Sequence, residues 1–393
     1  MTLLLVCSAL ALLAWLGVLA APHQPHRLRE RLDADPHAPA DLAAVTVLIP
    51  AREEADAIGL TVGALAKQGQ GLAAIVVDDQ SCDGTAAAAL GAAAGKPAAL
   101  ALRVLRGEPL PSGWTGKLWA LEQGLAHVDR PFVLLLDADI ELAPAFVPTL
   151  LREAARRGAT LVSIMAELHC ATFWERLLTP AFVFFFKLLY PFAWSNDPRR
   201  RTAAAAGGCM LVRTAALREI GGFAAIRGAL IDDCTLAAAL KRAAPPIWIG
   251  VSRAVRSLRA YSALGDLWSM VSRSAFTELR YSSALLVLTT VLMLVTLLTP
   301  VAATAAVLLG GGATPGLVGA VAWLAMGAAY LPVVRFYRLA PPWALTLPFA
   351  AALFLAMTWS SAFAYWRGAH GNWKRRSYDR SLAQGGKQGM PHR

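Results

Sequence analysis

Four stretches of this sequence carry no charged residue over a length that crosses a bilayer: Thr2 to Ala20, Ala284 to Leu309, Gly316 to Val334 and about Trp343 to Trp366. A helix of about 20 apolar residues spans a hydrocarbon core of about 30 Å, so the chain must fold around membrane helices. The separators agree, with Gly310-Gly311-Gly312 in one gap and Arg335 to Pro342 in the next. Only 16% of the residues are charged and the mean hydropathy is +0.49, far from a soluble average. Arg27, Arg29 and Arg31 follow the first stretch. A cleaved signal peptide puts its charge before the apolar core, so residues 1–21 read as a retained anchor with its N-terminus outside. Three full spans in region 283–367 would then leave the tail, 368–393, outside. Its Lys374, Arg375 and Arg376 favour the inside. A re-entrant or interfacial segment would reconcile the two, and Ala284 to Leu309, interrupted by Pro300, is the expected one.

The net charge of +11 is gathered in short clusters such as Arg199 to Arg201 rather than on one periodic face. That pattern indicates orientation and contact with anionic lipid, not nucleic-acid binding. The five cysteines, Cys7, Cys82, Cys170, Cys209 and Cys234, show neither paired spacing nor Cys/His grouping. No zinc site or disulfide framework is implied, and a reducing, cytoplasmic setting is expected for the polar part of the chain.

That polar part, about residues 41–260, alternates short apolar runs with Ala- and Leu-rich stretches. Val45 to Ile49, Ala74 to Val77, Leu102 to Leu105 and Phe132 to Leu136 have the continuous apolar character of buried parallel strands. Glu54 to Lys67, Asp83 to Ala94 and Gly116 to Ala126 are long enough for crossover helices. This order predicts an α/β fold with a doubly wound sheet, whose ligands collect at the carboxyl ends of the strands. Each such end is polar: Arg52-Glu53-Glu54, Asp78-Asp79 and Asp137-Ala138-Asp139. No Gly-x-Gly-x-x-Gly follows the first strand, and neither Gly91 to Lys96 nor Gly113 to Lys117 has the spacing of a phosphate-binding P-loop. A dinucleotide-dependent oxidoreductase and a kinase or ATPase lose their main support.

Asp137 and Asp139 leave the sheet as two carboxylates one residue apart. Hard cations such as Mg²⁺ or Mn²⁺ prefer oxygen ligands and commonly join one or two carboxylates to substrate phosphates. An acidic turn that caps the following helix is the alternative. Asp78 and Asp79 have the chemistry to bind a base or ribose, with helix capping by Ser81 and Asp83 as the plainer role.

In order along the chain come Val-Thr-Val-Leu-Ile-Pro-Ala-Arg-Glu-Glu from Val45, Val-Val-Asp-Asp-Gln-Ser-Cys-Asp-Gly-Thr, Leu-Leu-Leu-Asp-Ala-Asp, Gly-Gly-Cys-Met-Leu-Val-Arg from Gly207, Ile-Gly-Gly-Phe from Ile220 and Leu-Ile-Asp-Asp-Cys from Leu230. This set resembles the family 2 glycosyltransferases of the GT-A fold. Gly-Trp-Thr-Gly-Lys-Leu-Trp-Ala from Gly113, the aromatic run from Phe173, Met-Val-Ser-Arg-Ser-Ala-Phe from Met270 and Trp-Lys-Arg-Arg-Ser-Tyr from Trp373 extend the likeness to nearly the whole chain. There it is similar to the hopene-associated glycosyltransferases of bacterial hopanoid gene clusters. The resemblance implies a GT-A type doubly wound mixed sheet, an N-terminal anchor and C-terminal transmembrane helices in a bacterial inner membrane, with the catalytic domain facing the cytoplasm. It also implies an inverting enzyme that takes a sugar from a nucleotide-diphosphate donor, uses Mg²⁺ or Mn²⁺, and glycosylates a membrane lipid of hopanoid type.

By the same resemblance, Pro50, Ala51, Glu54 and Asp78 or Asp79 hold the nucleoside, Lys117 approaches the diphosphate, and Asp137 and Asp139 bind the metal. Gly207 and Gly208 give close access to donor sugar or acceptor, Arg273 touches the diphosphate, and Asp232-Asp233 is the basic centre, with Asp233 the base. Glu53 departs from the Asn that relatives commonly have before Glu54. The aromatic stretch 172–195 contains Glu175, Arg176 and Lys187 and is expected as an interfacial helix, with a buried core helix as the alternative. Region 261–282 reads as an amphipathic juxtamembrane helix. Two further functions remain open: transfer to a polyprenyl phosphate, with Arg199 to Arg201 as a second phosphate site, and a non-catalytic sugar-binding scaffold.

Overall fold

The computed structural model describes residues 2–95 and 100–368, with the backbone of 372–373 and 376–377. They fall into two compact units. One takes the described parts of residues 1–29, 170–193 and 261–371; the other is built mainly from 30–169 and 194–260.

The second unit is organised by an eight-stranded mixed sheet of β1 (Val45–Ala51), β2 (Leu72–Asp78), β3 (Leu100–Arg106), β4 (Phe132–Leu136), β5 (Ile140–Leu142), β6 (Leu161–Glu167), β7 (Cys209–Arg213) and β8 (Ile247–Ser257). Their spatial order is β3-β2-β1-β4-β7-β6-β8-β5. β1 to β4 form the expected parallel half, and each crossover contains one of the expected helices, Ala55–Leu65, Thr85–Ala93 or Gly116–Leu125. Strand alternation builds two cores. Val47 and Ile49 of β1 with Leu134 of β4 pack with Ile58, Val62 and Leu65 on one face. Leu48, Val133 and Leu135 pack with Leu118, Leu121 and Leu125 on the other. The distal half makes the sheet mixed, as the resemblance implied: β7 runs antiparallel to β4 and β6, while β8 is parallel to β6 and antiparallel to β5.

The first unit contains four helices long and apolar enough to cross a membrane: Thr2–Ala20, Ser283–Leu309, Ala313–Phe336 and Pro341–Trp366. The break expected at Pro300 is absent. The helical path continues through Ser283–Leu309, and a π-helical turn at Leu294–Leu298 precedes the proline, relaxing the backbone where its missing N–H would interrupt the ladder. Lys374 and Arg375, on which the opposing topology reading leaned, lie outside the described residues.

The aromatic stretch forms a helix, Phe173–Leu189, and it belongs to this unit rather than to the sheet unit. Two of its three charges, Glu175 and Lys187, are satisfied inside the unit, while Arg176 is exposed. Glu175 is fully buried, completes a capping box with Thr172, and accepts the Tyr261 N–H at 2.7 Å. Lys187 donates to the Arg27 carbonyl at 2.7 Å and lies over the Phe192 ring. Region 261–282 forms two short helices, Leu264–Ser272 and Ala275–Glu278, and Arg273 caps the C-terminus of the first.

Candidate active site

The register of the sheet gathers the acidic motifs. β4 and β7 are antiparallel with Leu136 opposite Cys209, so Asp137, just after β4, lies beside Gly207-Gly208, just before β7. The Asp137 N–H donates to the Gly208 carbonyl at 3.1 Å and continues that ladder past its last strand residues. The helix Asp232–Ala243 starts at the same place: Asp233 Oδ2 accepts the Gly207 N–H at 2.9 Å, and its Oδ1 accepts the Cys234 N–H at 2.7 Å. Asp232 and Asp233 thus occupy the first turn of this helix, with Ile231 at the cap. A Cβ added to Gly207 would stand 3.2 Å from Lys117 Nζ and 3.4 Å from Asp233 Oδ2, so glycine leaves room for both side chains.

Lys117 reaches this point from the first turn of Gly116–Leu125. Its Nζ lies 2.9 Å from Asp137 Oδ1 and 3.3 Å from Asp232 Oδ2. Three carboxylates, Asp137, Asp232 and Asp233, therefore act on one ammonium. Burial disfavours the charged lysine, yet the carboxylates outweigh it and raise its proton affinity. Asp137 is also raised, by burial and by the charge of Asp139, with Lys117 opposing. Burial, then the Asp232 charge, pushes Asp233 up to about 7 against the pull of Lys117 and two backbone N–H groups.

A second node joins Asp139 to Glu54. Arg259 donates from Nε to Asp139 Oδ2 at 2.7 Å and from Nη2 to Glu54 Oε1 at 2.9 Å. Nothing in the sequence singled out Arg259. It stands two residues beyond β8, and its only local signal is a cation at a strand end, a feature visible once β8 is known to flank β5.

The first two acidic loops are locked together. Pro50 and Ala51 are buried at the end of β1, and the Ala51 carbonyl accepts the Asp79 N–H at 2.8 Å. Asp79, with a side chain 1% exposed, lies 3.7 Å from Arg52, and Asp78 accepts the Ser81 N–H at 3.0 Å. Asp83 accepts the amides of Thr85 and Ala55 at 3.0 Å each, although Gly84 and Glu54, not Asp83, are the cap residues of the helices that begin there. Glu53 adopts φ 52° and takes the Cys82 N–H at 2.9 Å. Asn suits that left-handed backbone better, whereas Glu53 has a longer side chain that ties down the neighbouring loop. Arg273 belongs to the other unit.

Among the described residues, no three His, Cys, Asp or Glu side chains converge as a self-sufficient metal cage. Mg²⁺ and Mn²⁺ held by one or two carboxylates and by substrate phosphates need no such cage. Asp137 and Asp139 supply hard oxygen donors at one turn, each paired with a side-chain cation, Lys117 or Arg259, that it shares with other carboxylates. The donor set fits a divalent ion of this kind.

Residues 46–221 match the family model described as Glycosyl transferase family 2. Among solved structures, the chain is similar to a mannosyltransferase from Pyrobaculum calidifontis in complex with GDP-Man and Mn²⁺, at 20% identity and a TM-score of 0.54, covering 92% of this chain and 99% of that one. It is also similar to glucosyl-3-phosphoglycerate synthase from Mycobacterium tuberculosis, at 18% identity and a TM-score of 0.40, covering 64% of this chain and 86% of that one. The first likeness supports the shared fold. No curated protein matches.

Proposed function

From the family 2 glycosyltransferase domain at residues 46–221, we infer that the chain transfers a sugar from a nucleotide-diphosphate donor to a membrane lipid, with inversion at the anomeric carbon. The observation that carries this reading is the convergence of Lys117, Asp137, Asp232 and Asp233 on Gly207 where β4 ends beside β7, in the middle of the sheet. Such a site has a cation for a diphosphate, carboxylates for a metal, and one carboxylate of high proton affinity for a base. The GDP-Man and Mn²⁺ in the mannosyltransferase complex support the same donor class and ion type here. The bacterial inner membrane is the proposed location, with this unit on the cytoplasmic side.

Asp137 and Asp139 are the residues that would hold Mg²⁺ or Mn²⁺, which, when bound, supplies positive charge for the departing nucleoside diphosphate. Lys117 adds its charge at the start of a helix, where unsatisfied N–H groups also favour anions. Glu54, Asp78 and Asp79, with the Pro50-Ala51 strand end, form the nucleoside side of the cleft. Gly207 and Gly208 keep the approach to the sugar clear. Asp233 Oδ2 takes the proton of the acceptor hydroxyl as its oxygen attacks the anomeric carbon and the bond to the diphosphate breaks. A single displacement from the opposite face inverts that centre and leaves no sugar on the enzyme.

A lipid acceptor is supported by the four span-length helices of the same chain, and a hopanoid is the acceptor favoured by the sequence resemblance. Transfer to a polyprenyl phosphate stays as a second reading because Arg199, Arg200 and Arg201 are all exposed. The test is to incubate purified protein with several nucleotide sugars and extracted bacterial lipids, then identify products by mass spectrometry. A glycosylated neutral lipid is expected, with loss of product in EDTA and in Asp137→Ala or Asp139→Ala. Donor turnover that yields no lipid product would reject the lipid acceptor, and full activity in chelator would reject the metal.

A further inference from the structure

β8 closes the sheet against β5, with Ser257 opposite Ile140, and the chain beyond it runs on alongside the Asp137-Ala138-Asp139 turn. The Leu258 N–H donates to the Asp139 carbonyl at 2.7 Å. Arg259 then grips the Asp139 side chain at 2.7 Å and the Glu54 side chain at 2.9 Å. Both carboxylates are well shielded, at 15% and 14% exposure, while the Arg259 side chain is 36% exposed, so solvent reaches the cation and screens the pairs in part. A second strut acts on the same turn: Thr61 Oγ1, from the helix that follows Glu54, donates to the Ala138 carbonyl at 2.7 Å. The backbone around Asp139 is thus also held by the Leu258 and Thr61 bonds, apart from the ion pairs of the Arg259 guanidinium.

We propose that Arg259 is a positioning residue that serves as an internal counter-cation for Asp139 and Glu54 and competes with the divalent ion for Asp139. This rests on the reading of Asp139 as a metal ligand. A hard cation entering the turn seeks the same carboxylate oxygens that the guanidinium now holds, and two cations on one shielded carboxylate repel each other. The planar fork of arginine has donors enough to stay on Glu54 while giving up Asp139. A lysine, a single point charge, cannot grip both in that way. The consequence is a site whose negative charge is partly offset and whose side chains are ordered before donor and metal arrive together, and which resists metal binding alone.

The test is calorimetric titration of the full-length, detergent-solubilised protein with Mn²⁺ alone, without nucleotide sugar. Arg259→Gln is expected to bind Mn²⁺ about fivefold or more tightly than the wild type, because the competing charge is gone. Arg259→Lys, which keeps the charge and guards against a folding defect in the first variant, is expected to fall between them. Amide exchange in residues 52–58 of the metal-free protein should quicken in Arg259→Gln, because Glu54 loses its ion pair with Arg259. Asp139→Asn should lose most Mn²⁺ binding. Unchanged or weaker Mn²⁺ binding in both Arg259 variants, with Asp139→Asn still defective, would overturn the competition while leaving the metal site standing. Equal binding by Asp139→Asn and the wild type would overturn the metal assignment and the proposal with it.

Discussion

In the proposed mechanism the proton transfer falls on one side chain, Asp233. Replacing it with Asn keeps the shape and an oxygen for the Gly207 N–H but removes the base, so donor binding should survive while turnover falls by roughly 10² or more. Single-turnover transfer together with nucleotide-sugar binding separates the two effects. If Asp233→Asn keeps its turnover and Asp232→Asn is dead, the base is Asp232. The pH dependence follows from the same environment. A base works ionised, and Asp233 is raised to about 7, so transfer should decline by about tenfold per pH unit below that point and level off above it. The Asp232 charge is one cause of the rise, so Asp232→Asn should move this acid limb to lower pH. An acid limb that stays in place would remove Asp232 as a cause. Glu53 shows what a sequence departure means physically: the residue that broke the motif holds the Cys82 amide and thereby the loop containing Asp78 and Asp79.

At the scale of elements, the turn entering β7 is the part of the site with least room. A methyl group at Gly207 would press on Lys117 Nζ and Asp233 Oδ2, while one at Gly208 would meet Ile140 Cδ1 at 3.1 Å. Lysine has a flexible end, so Gly207→Ala should fold and keep its melting temperature within a few degrees. Its kcat should fall by about tenfold or more as Lys117 is pushed from Asp137, because misplacing a charged group in a preorganised site costs rate rather than stability. A Gly207→Ala protein with unaltered kcat would show that Lys117 and Asp233 tolerate the displacement. The helix Phe173–Leu189 carries the complementary lesson. Its Glu175 and Lys187 suggest a surface by composition, yet local capping and a backbone carbonyl satisfy both inside the unit.

For the whole molecule, charge and span length predict sidedness. In the proposed topology, Arg27, Arg29 and Arg31 after the first apolar helix lie on the cytoplasmic side, so a cysteine placed at Ser262 in a Cys-free variant should resist membrane-impermeant thiol reagents applied from outside intact cells. Labelling there from outside would refute a cytoplasmic catalytic unit. The sequence by itself determined the apolar spans, the parallel half of the sheet and the acidic strand ends, because these depend on local periodicity and on residue type at chain positions close together. It also marked Lys117, Asp137, Asp232 and Asp233 as candidates, though not as neighbours. Tertiary structure alone decided that β7 returns antiparallel beside β4, which sets Gly207 against Asp137, and that β8 brings Arg259 to Asp139 and Glu54 across separations of 120 and 205 residues. Such pairings depend on strand order and register, which long-range packing selects and short-range pattern does not encode.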